Sequence, residues 1–207
     1  RFEMKLLRMK LPTNLASQFP SDLAVVGGEA RLAAYCLIHK QEWPETYEPR
    51  DLDYLRVANE DENPEGTKGI VKNEATTSGD LVVDRLVVSS LIDYFNQVDQ
   101  HTNAVVVADG TLILTDEALK CFIEKRVRMN LSHPKLLEKG ARVWEYLALR
   151  ACIQVGLDVR TGIRYHRHGA CSLHGSIVNN IDYRSLRTNW YWKTYCQKMQ
   201  QVKSGKH

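Results

Sequence analysis

The segment VVGGEARLAAYCLIHKQEWPETYEPRDLDYL, residues 25–55, decides the expected fold. An apolar run leads into Gly27 and Gly28, and the residues that follow place apolar side chains at helical spacing. A loop with two prolines comes next, and DLDYLRV then predicts a strand that begins with Asp51 and Asp53. The segment therefore predicts a strand, a glycine turn, a helix and a second strand.

The two aspartates of this segment predict a cation site. Residues i and i+2 of a strand point to the same side, so Asp51 and Asp53 project together while Leu52 turns the other way. Two carboxylates this close repel each other unless a cation lies between them. Mg²⁺ takes oxygen ligands and leaves positions open for phosphates. Asp-x-Asp also occurs at solvated strand starts, which is the structural alternative.

The glycine pair predicts a phosphate site beside this cation site. Without a Cβ atom, the backbone at Gly27 and Gly28 can approach a phosphate closely. The helix that starts near Glu29 offers N–H groups and the positive end of its dipole, and Arg31 on its first turn can reach the same anion. A glycine pair between a strand and a helix is also a common structural turn.

The pattern VVGGEAR…PRDLDYL resembles the signature of the polymerase-β-type nucleotidyltransferase superfamily. GGEAR is similar to the start of tRNA CCA-adding enzymes and bacterial poly(A) polymerases. The resemblance implies that Asp51 and Asp53 are catalytic and bind Mg²⁺, or Mn²⁺ in its place, and that Gly27 and Gly28 cradle the triphosphate of a nucleoside triphosphate (NTP) such as ATP. The resemblance also implies that Arg31 is a nucleotide-binding residue.

The same superfamily carries a third carboxylate on a later strand, and Asp84 in LVVDRLVV is the best match to that position. The resemblance implies that Asp84 is a catalytic metal ligand. The structural alternative is a strand aspartate paired with Arg85 or located at a sheet edge. A charge among β-branched neighbours needs a partner or a metal in either case.

C-terminal to these motifs, the chain resembles a different group of nucleotidyltransferases. Residues 112–149 look like the helical continuation of small antitoxin- or toxin-type nucleotidyltransferases. The spacing between Gly28 and Asp51 is longer than is usual in the superfamily, and the Arg-Arg-Asp-Phe and templating motifs of CCA-adding enzymes are absent. These departures argue against CCA addition itself and leave the nucleotide and the acceptor open.

The remaining pattern predicts an α/β (α+β) fold, a mixed sheet flanked by helices, with a helical C-terminal region. We expect a nucleotidyltransferase-like core at residues 1–114 and a mainly helical region at 115–207 packed on it. In the first 80 residues we expect a short helix within 6–19, interrupted or starting near Pro12, and a polar excursion at 59–80 with a brief strand at GIVK. The strand LVVDRLVV and a short helix capped by Ser89 or Ser90 follow. A hairpin at 103–114 around Asp-Gly, a helix capped by Thr115 and a helix at 134–156 complete the expected elements.

A histidine-rich stretch, RYHRHGACSLH, offers a different kind of site. Four residues of the types that bind zinc lie within this stretch and would close a tetrahedral site: His166, His168, Cys171 and His174. Their spacing matches no common zinc module. The alternatives are a basic loop that binds a phosphate or a nucleic-acid backbone, and a surface loop without a ligand.

Composition limits the compartment and the partners. The net charge of +3 gives no global argument for nucleic acid, although residues 160–206 are mostly basic. Five widely spaced cysteines without a CxxC pair predict reduced thiols, and no apolar run reaches the length of a membrane span. We therefore expect a soluble cytoplasmic protein with no membrane partner, whose oligomeric state the sequence leaves open.

Three functions follow as hypotheses. The first is a Mg²⁺-dependent transferase that moves a nucleoside monophosphate from an NTP to a hydroxyl of RNA, a protein or a small molecule. The second is an inactive descendant of the same fold that serves in binding or assembly. The third is a nucleic-acid-binding module on the basic C-terminal third of the chain.

Overall fold

The computed structural model describes residues 4–45, 47, 51–124, 130 and 133. Their centre is one mixed sheet of eight strands: β1 (Leu6–Lys10), β2 (Ala24–Val26), β3 (Asp51–Val57), β4 (Ile70–Asn73), β5 (Thr76–Ser78), β6 (Leu81–Val88), β7 (Val105–Ala108) and β8 (Thr111–Thr115). Four α-helices accompany it in this part of the chain: α1 (Thr13–Ala16), α2 (Gly28–Ile38), α3 (Leu91–Asn96) and α4 (Asp116–Glu124). The predicted α+β class with a mixed sheet and helices is thus confirmed.

The strand order places β2, β3 and β6 next to one another in the sheet. The order is β1-β8-β7-β2-β3-β6-β4, and β5 pairs with β6 beside β4. The β3–β6 pair is parallel, while the other pairs are antiparallel. In this register Asp53 of β3 lies opposite Val26 of β2 on one side and opposite Asp84 of β6 on the other.

Helix α2 forms the centre of the core because it has almost no polar face. Its residues from Glu29 to Cys36 are all buried, and Ala30, Ala33 and Ala34 have no exposed surface. These small side chains allow the helix to lie close to the sheet, where it contacts β2 and β7. The start of α2 is thereby fixed directly beside the end of β2.

Several predicted elements are confirmed with their predicted local causes. The Ser90 hydroxyl accepts a hydrogen bond from the Asp93 N–H (3.0 Å) at the start of α3, and the Thr115 hydroxyl accepts one from Ala118 N–H (3.1 Å) in α4. The hairpin of β7 and β8 turns at Asp109 and Gly110, both with positive φ (48° and 68°).

The helix predicted within residues 6–19, interrupted or starting near Pro12, is wrong before Pro12 and present after it as the short helix α1. Residues 6–10 form strand β1, which pairs with β8 from Leu6 opposite Thr115 to Lys10 opposite Thr111. Leu, Arg, Met and Lys are good helix formers, but pairing with a sheet edge outweighs that weak preference. The only helix in this segment of the described chain is α1, which begins after Pro12.

The polar excursion at residues 59–80 contains more strand than predicted. The expected strand at GIVK is present as β4, and β5 follows it as an additional strand on β6. All three residues of β5 are exposed, so no apolar alternation marked it in the sequence. The predicted helix at 134–156 lies outside the described residues.

No helix in the described part of the chain is long and apolar enough to cross a membrane. Cys36 and Cys121 are both buried, and neither forms a disulfide bond within the described residues.

Candidate active site

Asp53 lies at the centre of the candidate site, between two other carboxyl groups of the sheet. The pKa of Asp53 is raised from 3.8 to about 6. Burial is the largest cause, followed by repulsion from Asp51 and Asp84, while the Arg31 cation lowers the pKa. The three predicted carboxylates therefore lie close enough to influence one another, because of the i, i+2 spacing in β3 and the parallel register with β6.

Asp84 faces Asp53 and also contacts a side chain of strand β4. The Asn73 side-chain amide of β4 donates a 3.3 Å hydrogen bond to Asp84 Oδ1. Arg85 follows Asp84 directly in β6, so its side chain points to the opposite face of the sheet. Asp84 therefore lies on the same face of the sheet as the candidate site.

The two glycines differ in what surrounds them. Gly27 has φ +75°, and a Cβ atom there would collide with Asp53 Oδ2 and lie 3.1 Å from Asp53 Cγ. A Cβ atom on Gly28 would lie 3.8 Å from the Arg31 guanidinium and from the Tyr47 hydroxyl, which is ordinary van der Waals contact. The backbone at Gly27 thus lies directly against the Asp53 carboxylate, while Gly28 has room for a side chain.

A half-open pocket of about 480 Å³ lies over these residues. Its size is within the usual range for small-molecule sites. Gly27, Arg31, Asp53 and Asp84 line it, together with polar side chains from three other segments: Asn73, Gln97, Asp99, Asn103 and His133. Asp51 and Gly28 are not among the lining residues, so the structure brings four of the six predicted residues to the pocket wall.

Arg31 occupies the pocket wall as a largely buried cation, 7% exposed. Its Nη1 donates a 2.6 Å hydrogen bond to the side-chain oxygen of Asn103. The backbone of Arg31 is fixed as well, since its N–H donates to the Gly27 carbonyl (3.0 Å) in the first turn of α2. The guanidinium therefore lies between the glycine turn and the loop before β7.

Sequence reasoning missed Glu29 as a member of this site. Glu29 is 7% exposed, and within the described residues neither carboxylate oxygen has a hydrogen bond of normal length. The pKa of Glu29 is raised from 4.5 to about 7, mainly by burial and further by repulsion from Asp53 and Asp51. A backbone N–H and the Tyr47 hydroxyl act in the opposite direction and lower this pKa in part. The one available signal was an acid at the head of a helix that is otherwise nearly all apolar.

The burial of Glu29 gives a stability prediction. A group whose folded pKa is raised contributes stability at low pH, which is lost as the pH rises through about 7. We expect Glu29→Gln to increase the free energy of unfolding by about 2 kcal/mol at pH 8 and to change little at pH 5. Thermal and urea unfolding at both pH values measure this. The exposed Glu65→Gln is the control, and a destabilised Glu29→Gln at pH 8 would contradict the prediction.

The donor set of the site fits a divalent cation in its chemistry. The side chains of Asp51, Asp53 and Asp84 offer only oxygen atoms as ligands. Asp51 and Asp84 repel the charge of Asp53, and a bound cation would relieve this repulsion. Among the described residues, no three His, Cys, Asp or Glu side chains are already arranged as a ligand set. The candidate zinc ligands His166, His168, Cys171 and His174 lie outside the described residues.

Comparison with known proteins finds only a distant likeness. No protein-family model and no curated protein matches the chain. A solved structure of a CCA-adding enzyme with CTP is 14% identical, with a TM-score of 0.49 over 92% of this chain and 51% of that chain. The chain thus spans about half the length of that enzyme. A likeness at this level decides neither the family nor the activity of the chain.

Proposed function

We propose that this chain is a Mg²⁺-dependent nucleotidyltransferase that transfers a nucleoside monophosphate from an NTP to an acceptor hydroxyl. One observation carries the proposal: a side-chain-free Gly27 lies against Asp53, and both line a pocket with Asp84 and the Arg31 cation. A glycine turn at a helix start, a buried cation and paired carboxylates are together suited to a metal-bound polyphosphate.

In this proposal the chain binds the NTP from two sides. The backbone at Gly27 and Gly28 and the first N–H groups of α2 would contact the phosphates, because the first turn of a helix has N–H groups without intrahelical acceptors. Arg31 would supply a fixed positive charge to the same oxygens. The NTP would thereby be oriented with its α-phosphorus towards the carboxylates.

The carboxylates would hold the cation that activates the acceptor. Asp51, Asp53 and Asp84 are the proposed ligands of Mg²⁺, or of Mn²⁺. When bound, the cation neutralises phosphate charge and lowers the pKa of the acceptor hydroxyl. Asp53, between the other two in space, would determine whether the site is charged and ready for the cation.

This role of Asp53 predicts a pH dependence of cation binding. Mg²⁺ requires the ionised carboxylate, and the pKa of Asp53 is about 6, so protons compete increasingly below that pH. We expect the Mg²⁺ dissociation constant to rise by about tenfold from pH 7 to pH 5. Calorimetric titration at pH 5, 6 and 7 measures it, with circular dichroism to confirm that the protein is folded throughout. Equal affinity at the three pH values would remove Asp53 from the ligand set.

The acceptor-binding part of the site is proposed to come from the C-terminal region, residues 115–207. After α4 the chain returns to the pocket: the Asn130 amide donates to the carbonyls of Val98 (2.8 Å) and Asn96 (2.9 Å), and His133 lines the pocket wall. Asn130 and His133 thus lie beside the proposed NTP site, and in this proposal the C-terminal region selects an RNA, a protein or a small molecule as the acceptor.

Label transfer from α-labelled NTPs tests the proposed function. Each NTP is incubated with Mg²⁺, the protein and, in separate reactions, total RNA, a protein mixture or a small-molecule extract. We expect incorporation with one acceptor class and its loss in the Asp51→Ala, Asp53→Ala double variant. No transfer by the wild type, despite Mg²⁺-dependent NTP binding, would favour an inactive binding subunit instead.

A further inference from the structure

The loop between α3 and β7, residues 97–104, contains a chain of hydrogen bonds that ends on Arg31. Asn103 accepts the 2.6 Å bond from the Arg31 guanidinium. The same Asn103 side chain donates through Nδ2 to Asp99 Oδ1 at 2.9 Å. An amide has a distinct donor and acceptor end, so these two bonds fix which end of Asn103 faces Arg31.

Asp99 is itself fixed on several sides. Its Oδ1 also accepts the Gln100 N–H at 2.8 Å, and its backbone carbonyl accepts the Asn130 N–H at 2.9 Å. Asp99 is 6% exposed, so water competes little for these bonds. The side chain of Asn103 is therefore held by a rigid support rather than by solvent.

The choice of an amide at position 103 has an electrostatic consequence. A carboxylate in contact with Arg31 would orient the guanidinium but cancel its charge, whereas an amide oxygen orients it and leaves the charge unchanged. Asn103 uses one of the five N–H donors of the guanidinium. The contact with Asn103 thus orients the Arg31 guanidinium on the pocket wall without adding a negative charge beside it.

We propose that Asn103, held by Asp99, is a positioning residue that aims the Arg31 guanidinium at the polyphosphate of the bound NTP. This inference rests on the proposed function and assigns the phosphate selectivity of the site to the loop 97–104. Asn103 and Asp99 act through Arg31, so their loss weakens recognition of the phosphates and leaves recognition of the nucleoside unchanged.

The test compares binding of each common NTP with binding of its nucleoside, in the presence of Mg²⁺, by calorimetry. We expect Asn103→Ala to raise the dissociation constant of the preferred NTP by about tenfold and to change that of the nucleoside by less than twofold. Asn96→Ala, at an exposed position in the same part of the chain, is the matched control. Asp99→Asn keeps the oxygen that accepts from Asn103 and is expected to stay within threefold of wild type.

The isosteric Asn103→Asp preserves the shape of the side chain but places a carboxylate against both Arg31 and Asp99, so circular dichroism must show that this variant and Asn103→Ala are folded before their binding is compared. Asn103→Asp is expected to weaken NTP binding at least as much as Asn103→Ala. Unchanged NTP binding in both Asn103 variants would overturn the inference, as would an equal loss for NTP and nucleoside. A wild-type protein that binds the NTP no more tightly than the nucleoside would instead overturn the proposed function, and the inference with it.

Discussion

Asp53→Asn is expected to lower the rate of nucleotidyl transfer by at least a thousandfold, equivalent to about 4 kcal/mol of transition-state stabilisation. Asparagine has nearly the same shape as aspartate but no charge, so the variant loses the carboxylate that lies between Asp51 and Asp84. A neutral amide is a poor ligand for a hard divalent cation beside phosphates. The measurement is kcat/KM for label transfer at saturating Mg²⁺ and pH 7.5.

The same substitution is expected to act in the opposite direction on stability. The raised pKa of Asp53 means that its charged form is unfavourable in the folded protein near neutral pH, mainly through burial and repulsion. Asp53→Asn should therefore unfold at the same or a higher temperature than the wild type at pH 7.5. Loss of activity with retained stability separates a catalytic role from a structural one.

Asp80→Asn is the control for this variant, because Asp80 is exposed in the turn before β6. It should leave activity and stability unchanged. If Asp53→Asn kept more than a tenth of the wild-type activity, Asp53 would not be a metal ligand and the proposed mechanism would be wrong. An inactive Asp53→Asn that also unfolds at a clearly lower temperature would point to a structural role.

The sequence predicted the parts of this fold that are determined locally. The β2–α2–β3 unit follows from apolar spacing, a glycine turn and alternation, all within residues 25–55, and the caps of α3 and α4 lie next to the residues they cap. Strand β1 was missed because its partner β8 lies far along the chain, with Leu6 opposite Thr115. Sheet pairing at that separation leaves no local signal.

In the candidate site, too, only the features that are determined locally could be predicted from the sequence. Asp51 and Asp53 are paired by strand geometry alone, but the opposition of Asp53 and Asp84 depends on a parallel register that no local pattern specifies. The contact of Arg31 with Asn103 spans 72 positions. Glu29 was missed for a different reason: α2 is buried on all sides, so position on the helix did not reveal that this acid lies inside the protein.

Gly27→Ala is expected to reduce nucleotidyl transfer by at least a hundredfold, which corresponds to about 2.7 kcal/mol, and by at least tenfold more than Gly28→Ala does. The two substitutions add the same methyl group one residue apart. At Gly27 the methyl group meets the Asp53 carboxylate, and the backbone has a φ of +75° that alanine rarely adopts. At Gly28 it meets only ordinary van der Waals contacts.

The reason for the large effect at Gly27 is displacement of Asp53. The shortest relief is rotation of the Asp53 side chain away from the turn, which moves its carboxylate relative to Asp84 and the phosphates. Titration of Mg²⁺ should therefore show weaker binding in Gly27→Ala and near-normal binding in Gly28→Ala, with circular dichroism confirming that both are folded. If both variants bound Mg²⁺ and transferred nucleotide equally, the close contact of Gly27 with Asp53 would have no functional importance. Because the pair differs only in which glycine carries the methyl group, a selective loss at Gly27 would tie the glycine turn and the strand aspartate to one site.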